Sequence, residues 1–135
     1  MFKVHHVALS VKNMKKSIDF YGVFGFSEVY RWESDNSDLI ISHLKLGEMF
    51  LELFCFKNYN EAPISSKELP TDLPRIGIKH FGIKVKSIKK IKSLFIEKGL
   101  SKNIEIIRGR TEIDYFFIKD PDGILLEFVQ DDRGL

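Results

Sequence analysis

The chain contains very little cysteine, no long apolar run and almost no excess of charge of either sign. Cys55 is the only cysteine among 135 residues, which excludes an internal disulfide framework and a thiolate-based zinc site. No stretch of about 18 apolar residues occurs, and residues 1–10 lack the charged-then-apolar pattern of a leader. The net charge is only +2, whereas a nucleic-acid binder usually has a clustered basic excess. We therefore expect a cytoplasmic protein with no nucleic-acid or membrane partner.

The composition is that of a globular domain. Hydrophobic residues make up 44% of the chain and charged residues 30%, which argues against intrinsic disorder. A chain of this length can bury about two-thirds of its unfolded surface. It therefore needs neither a disulfide nor a metal ion merely to fold.

The most informative feature of the sequence is an internal repeat. Residues 6–16 and 80–90 match in pattern at an offset of 74 residues. An apolar run around a glutamate follows in each half, with Glu52 in the first and Glu127 in the second. Matching order and spacing over both halves predict two copies of one structural unit.

Each copy has the pattern of a strand, a helix and three further strands. Asn13 and Ser87 occupy the expected N-cap positions of the two helices, which end near Gly25 and Gly99. We therefore predict an α+β fold of two tandem β-α-β-β-β repeats. The predicted strands cover residues 4–11, 26–32, 39–46, 49–56, 80–85, 104–109, 115–119 and 124–130.

The repeat also predicts the domain organisation. Three of the four prolines fall in residues 57–77, which we interpret as a connector. The sequence thus predicts a single domain over residues 1–135, with repeats at about 1–56 and 78–131.

Four polar side chains occupy equivalent places in the two repeats. His6 and His80 lie on the first strands, and Glu52 and Glu127 lie on the last. A glutamate within an apolar run is costly to bury unless it is paired or bound to a cation. Taken singly, each residue is more often an ordinary hydrogen-bonded or exposed side chain. Together, two imidazoles and two carboxylates favour a site for one divalent metal ion, such as Zn²⁺, Ni²⁺, Co²⁺, Mn²⁺ or Fe²⁺.

The sequence resembles the glyoxalase/bleomycin resistance/extradiol dioxygenase superfamily, also called vicinal oxygen chelate proteins. The resemblance covers nearly the whole chain, and it assigns the metal ligands of the family to His6, Glu52, His80 and Glu127. This ligand set is most similar to that of bacterial glyoxalase I, a lactoylglutathione lyase. The resemblance also implies that the two repeats form a curved mixed sheet around a metal-centred cavity, and it implies a small-molecule substrate and a homodimer. The motifs that carry the resemblance are His6-x-Ala8-Leu9-x-Val11, Ser17-Ile18-x-Phe20-Tyr21 with Gly25-Phe26, and Asp120-Pro121-Asp122-Gly123-x-x-x-Glu127.

The resemblance implies a metal-dependent lyase or isomerase that acts through a metal-stabilised enediolate. A carboxylate beside the metal would remove a proton and return it elsewhere on the substrate. Glu127 is the first candidate for this base and Glu52 the second. If Gly47-Glu48 forms a two-residue turn, His43 faces Glu52 and becomes a third catalytic candidate, whereas the alternative is a histidine bonded to a neighbouring strand.

Candidate substrate contacts are Ser10, Phe54, Lys84 and Tyr115. Glyoxalase I commonly has an arginine at the place of Ser10, where it helps to hold glutathione. The departure at Ser10 disfavours glutathione, although Lys84 is basic at the equivalent place in the second repeat. Another thiol adduct, a sugar or a 2-oxo acid derivative remains open as substrate.

Several alternatives stay open at the level of the sequence. Tyr30, Trp32 and Phe117 could line a pocket or belong to the core, and His5 is expected to point away from His6. The protein could instead be a dioxygenase, a methylmalonyl-CoA-type epimerase, or a metal-free small-molecule binding protein. The metal site could form within one chain or across a dimer.

Overall fold

The protein contains two compact units, residues 1–62 and 63–135. A computed structural model describes all 135 residues of the chain. Each unit contains one four-stranded mixed sheet. The longest helix has ten residues, and none of the helices has the length and apolar character that a membrane span requires.

The first unit is a four-stranded sheet with one helix. Its strands follow the order β1-β4-β3-β2, with β1 parallel to β4 and the other neighbours antiparallel. The elements are β1 (His6–Ser10), α1 (Met14–Gly22), β2 (Ser27–Glu33), β3 (Leu39–Leu46) and β4 (Met49–Phe56).

The second unit repeats this topology with the strand order β5-β8-β7-β6. The same order and the same parallel and antiparallel neighbours occur in both units, which confirms the predicted β-α-β-β-β repeat. The elements are a 3₁₀ helix (Ile64–Ser66), α2 (Leu69–Asp72), β5 (Phe81–Lys84), α3 (Ile88–Glu97), β6 (Ile107–Arg108), β7 (Asp114–Lys119) and β8 (Leu125–Gln130).

The predicted helix caps are present in both units. The side chain of Asn13 accepts a hydrogen bond from the backbone N–H of Lys16 at 2.9 Å, and Ser87 accepts one from Lys90 at 3.4 Å. Gly99 has a φ of 68° directly after the last helical turn, a conformation that favours glycine. These caps fix where each helix begins after the first strand of its unit.

Alternation along the strands separates a buried face from a second face in each sheet. In the first unit Leu44, Leu51 and Leu53 are buried on the helix side, and Leu126 and Phe128 are their counterparts in the second. The intervening side chains point to the opposite side, which we call the open face. On the first sheet the open face comprises His6, Ala8, Ser10, Tyr30, Trp32, Ile41, His43, Lys45, Phe50, Glu52 and Phe54.

The predicted strand over residues 104–109 is wrong in extent, because only β6 (Ile107–Arg108) is a strand. Ile104 is buried in the core outside the sheet, so it does not take part in the pairing with β7. After Arg108 the chain turns at once, since the N–H of Gly109 donates to the carbonyl of Ile113 at 2.8 Å. Tertiary burial and this turn together shorten the edge strand.

A buried carboxylate holds the segment that leads into β5. Asp72, at the end of α2, is 2% exposed and accepts hydrogen bonds from Arg75 at 3.0 and 2.9 Å. The Nζ atom of Lys79 lies 3.6 Å from the same oxygen. Burial acts to raise the pKa of Asp72, but the hydrogen bonds from Arg75 and the charge of Lys79 outweigh it and hold the pKa below 3.8. Asp72 therefore positions the residue that directly precedes His80.

We expect Asp72→Asn to remove part of the acid sensitivity of folding. A carboxyl group whose pKa is lower in the folded state stabilises the fold above its unfolded pKa, and this contribution disappears as the pH falls through the folded pKa. The variant should therefore melt at a lower temperature near pH 7 and approach the wild type at pH 2 to 3 (about the range of carboxyl protonation). Thermal melts across this pH range measure the effect. Asp19→Asn, at an exposed pair with Lys15, is the control, and an equal response of both variants would contradict the assignment.

Candidate metal centre

The first unit brings two histidines to one glutamate on its open face. Glu52 lies on β4, which pairs with β1 on one side and with β3 on the other. His6 lies on β1 and His43 lies on β3. The Oε1 atom of Glu52 accepts a hydrogen bond from Nε2 of His43 at 2.9 Å. Its Oε2 atom lies 3.5 Å from Nε2 of His6. The two oxygens of Glu52 are thus directed to two different imidazoles.

Strand register explains this arrangement. The parallel pairing of β1 with β4 places Ala8 opposite Glu52, next to His6 on the same face. The turn at Gly47 and Glu48 joins β3 to β4 and aligns His43 with Glu52, which confirms the predicted register. Ala8 is small, so the carboxylate of Glu52 can reach the imidazole of His6.

The second unit carries the equivalent pair of His80 and Glu127. Nε2 of His80 lies 3.2 Å from Oε2 of Glu127, and both side chains are largely buried. Gly82 is opposite Glu127, and a Cβ atom at Gly82 would lie 3.5 Å from Oε2 of Glu127. On the other side of Glu127 the neighbour is Phe117, whose ring meets the His80 ring edge-on at 4.9 Å. Glu127 therefore has an aromatic neighbour where Glu52 has His43.

The donor atoms within each pair are spaced as two ligands of one cation are. Two donors that are each about 2.1 Å from one ion lie about 3 to 3.4 Å apart, close to the 3.2 and 3.5 Å found here. The pair of His6 and Glu52 is longer than an ordinary hydrogen bond. Nδ1 of His80, the ring nitrogen that faces away from Glu127, is buried and has no hydrogen-bond partner. The residues present are thus compatible with a divalent metal ion.

Neither unit alone forms a complete metal site. No group of three or more histidine, cysteine, aspartate or glutamate side chains is arranged to hold an ion. Each unit contributes one imidazole and one carboxylate of the predicted set. The assignment of His6, Glu52, His80 and Glu127 as joint ligands therefore stays a prediction.

The four predicted substrate contacts lie on strands next to these pairs. Ser10 is exposed at the end of β1 and pairs with Phe54 on β4. Lys84 is exposed at the end of β5, and its positive charge helps to lower the pKa of Asp131, after the larger effect of the hydrogen bonds from Arg133. Tyr115 is half-buried on β7. The structure places all four residues near the predicted ligands of their own unit, and their contact with substrate stays a prediction.

The expected direction of His5 is wrong. The ring of His5 stacks on Phe50 with centroids 4.9 Å apart, and its Nδ1 atom lies 3.0 Å from Nδ1 of His6. Strand alternation does not apply to His5, because β1 begins only at His6. The ring of Phe50 therefore packs against the histidines beside Glu52. In the sequence, the only indication of this contact is that Phe50 lies two residues before Glu52.

Several solved structures are similar to this fold over nearly the whole chain. A glyoxalase family protein from Enterococcus faecalis has a TM-score of 0.77 and 26% identity, over 95% of this chain and 97% of that one. A glyoxylase/bleomycin resistance protein/dioxygenase domain from Frankia sp. EAN1pec has a TM-score of 0.75 and 18% identity, over 100% and 96%. The trypanothione-dependent glyoxalase I of Leishmania major has a TM-score of 0.69 and 17% identity, over 96% and 87%. At such identities the last two show the fold alone.

Sequence comparison gives the family directly. No curated protein matches the chain in sequence. The sequence profile of the Glyoxalase/Bleomycin resistance protein/Dioxygenase superfamily matches residues 3–128, which is nearly the whole chain. Together with the repeated topology, this match shows that the chain belongs to the Glyoxalase/Bleomycin resistance protein/Dioxygenase superfamily.

Proposed function

We propose that the protein is a metal-dependent lyase or isomerase of the glyoxalase I type. One divalent cation is held by His6, Glu52, His80 and Glu127, and the substrate is a small 2-oxo or hemithioacetal-like molecule. The observation that most supports this proposal is the occurrence of the same histidine–glutamate pair at matching sheet positions in both units. Superfamily membership of the whole chain supports it further.

Each histidine–glutamate pair supplies two donors. A complete site of four ligands therefore needs the pair of His6 and Glu52 together with the pair of His80 and Glu127. They can come from the same chain or from two copies in a homodimer, and the ligand set is the same in both cases. When bound, the cation supplies Lewis-acid polarisation of the substrate oxygens. The remaining chemistry, which is proton transfer and the orientation of the carboxylates, belongs to the side chains of this protein.

The environments of the two glutamates divide the roles between them. His43 occupies one oxygen of Glu52 and so fixes the orientation of that carboxylate. Glu127 has His80 beside it but no second imidazole, because Phe117 stands at the place that His43 has in the first unit. A carboxylate with a histidine on one side only is freer to turn toward the substrate and to take a proton beside a carbonyl. Glu127 is accordingly the proton acceptor, and Glu52 remains a fixed ligand.

His43 acts as a positioning residue in this scheme. We expect His43→Ala to weaken metal binding by roughly 10- to 100-fold, the usual effect of losing a partner that orients a metal ligand. His43→Gln should restore part of the affinity, because its amide can donate to Glu52. Metal affinity measured with a competing fluorescent chelator gives the result. Ala and Gln variants with equal affinities would contradict the positioning role.

The proposal as a whole is tested by removing and restoring metal. We expect protein treated with a chelator to lose turnover of methylglyoxal–thiol adducts, and one of Ni²⁺, Co²⁺, Zn²⁺, Mn²⁺ or Fe²⁺ to restore it. A glutathione adduct and adducts of smaller thiols should be compared, since Ser10 replaces the arginine common in glyoxalase I. Full activity of metal-free protein would contradict the proposal.

The metal-depleted and metal-restored protein also distinguishes between the alternative functions. Oxygen uptake with a catechol in place of lyase activity would assign the protein to the dioxygenases. Exchange of a proton beside a thioester carbonyl would indicate an epimerase. Tight binding of a small molecule without metal or turnover would indicate a binding protein.

A further inference from the structure

Two large aromatic side chains are exposed on the edge strand of the first sheet. Tyr30 is 63% exposed and Trp32 is 47% exposed, and both point to the open face of β2. The sequence left open whether they belong to the core or line a pocket, and their exposure excludes the core. Exposed apolar side chains that stand alone are common, but adjacent ones next to a polar cluster are typical of a binding surface.

Strand register places these rings close to the metal-binding pair of the first unit. Tyr30 is aligned with His43, and His43 with Glu52, so the three lie in one row across the sheet. The ring of Tyr30 is 6.2 Å from that of His43. Trp32 lies in the next row, two strands away from β4, which puts its Cα atom about 12 Å from that of Glu52 at standard strand spacings.

The row that contains Trp32 has no charged side chain. Trp32 is aligned with Ile41, and Ile41 with Phe54, next to Ser10. The basic side chain on the other side of the histidines, Lys45, lies 5.5 Å over the ring of Phe50. Three charged residues lie on β2 with Trp32. Arg31 pairs with Glu28, which accepts a bond from the buried Ser42 on the opposite face. Glu33 directly follows Trp32, so strand alternation directs it to that opposite face as well. The row formed by Trp32, Ile41, Phe54 and Ser10 is therefore uncharged, and three of its four side chains are apolar.

We infer that Tyr30 and Trp32 form a subsite for an uncharged planar group of the substrate, such as an aromatic ring. This inference rests on the proposed function, because the oxygens of the same molecule would reach the cation near Glu52. A flat ring packs well on exposed aromatic faces, whereas the carboxylates of a peptide thiol would find no cation in the row of Trp32. The site thus selects neutral aromatic oxo compounds over anionic thiol adducts.

Binding of three small probes to zinc-loaded protein tests the inference. 2-Hydroxyacetophenone carries a phenyl ring beside vicinal oxygens, hydroxyacetone has a methyl group in its place, and 4-(hydroxyacetyl)benzoate adds a carboxylate to the ring. We expect the phenyl probe to bind at least about tenfold more tightly than the methyl probe, from burial of the ring. The carboxylated probe should lose most of this gain. Isothermal titration calorimetry measures all three affinities.

Variants test whether the preference for the phenyl probe arises from the rings of Tyr30 and Trp32. In Tyr30→Ser/Trp32→Ser the ratio of phenyl to methyl affinity should fall below about threefold. Tyr59→Ser is the matched control, since Tyr59 is 49% exposed and lies outside the sheets, and it should keep the ratio. Trp32 is the only tryptophan, so the single indole N–H resonance of unaltered protein should also shift with the phenyl probe and not with the methyl probe.

Each other outcome overturns the inference. Equal affinities of the phenyl and methyl probes, an unchanged ratio in the double variant, or an unshifted indole resonance would do so. Acrylamide quenching of Trp32 that becomes weaker as the protein concentration rises would show that a second copy of the chain covers Tyr30 and Trp32 instead. Zinc content is measured in the same samples. Zinc binding without a phenyl preference refutes only the subsite, whereas failure to bind zinc or any of the other four candidate metal ions refutes the proposed function as well.

Discussion

Glu127→Gln should lower kcat by roughly 100- to 10,000-fold while the protein still binds its metal ion. The amide has nearly the shape of the carboxylate and keeps an oxygen that can face the cation, but it cannot take a proton. The loss should therefore appear in kcat and in the exchange of the substrate proton with solvent, and much less in metal content. Steady-state kinetics and proton exchange in deuterium oxide, on metal-quantified samples, give both values.

Glu52→Gln is the matched control for this result. Because His43 fixes Glu52 in place, its replacement should weaken metal binding more than it lowers the kcat of protein saturated with metal. Unchanged kcat in Glu127→Gln with metal retained would contradict the role of Glu127. A larger fall in kcat for Glu52→Gln than for Glu127→Gln would exchange the two roles.

His6→Ala and His80→Ala should each lower the affinity for a divalent metal ion by more than about 100-fold. Each variant removes one of four direct ligands, so its effect should exceed the 10- to 100-fold typical of residues that only orient a ligand. Since both histidines bind the same ion, the double variant should lose far less than the product of the two single effects. Competitive chelator titration gives the three affinities.

His5→Ala is the control for the histidine variants. It removes an imidazole next to His6 but keeps every proposed ligand, so its affinity should stay within about tenfold of the unaltered protein, as for a partner outside the ligand set. Multiplicative effects in the double variant would indicate that the two units bind metal independently. Two ions per chain in the unaltered protein would lead to the same conclusion.

The repeat made most of the fold predictable from the sequence. Period-two alternation in β3 and β4 and the cap residues Asn13 and Ser87 are local signals, and the structure follows them closely. The alignment of His43 with Glu52 was predictable as well, because a two-residue turn determines the register of a hairpin. The two histidine–glutamate pairs follow from the same alternation.

Features that depend on tertiary packing were not predictable in this way. Ile104 leaves the expected edge strand because it is buried in the core, and no local pattern signals that choice. The contact of His5 with His6 arises because β1 starts two residues later than the apolar pattern suggests. The exposure of Trp32 follows from the place of β2 at the edge of its sheet, since aromatic residues in strands are more often buried.

The most direct test is a crystal structure of nickel-loaded protein with anomalous diffraction data collected at the nickel absorption edge. We expect one strong anomalous peak per chain, within about 2.3 Å of a donor atom from each of His6, Glu52, His80 and Glu127. The two halves of this ligand set can belong to one chain or to two copies. A peak bound by only one histidine–glutamate pair, or by other side chains, would contradict joint coordination by the two units.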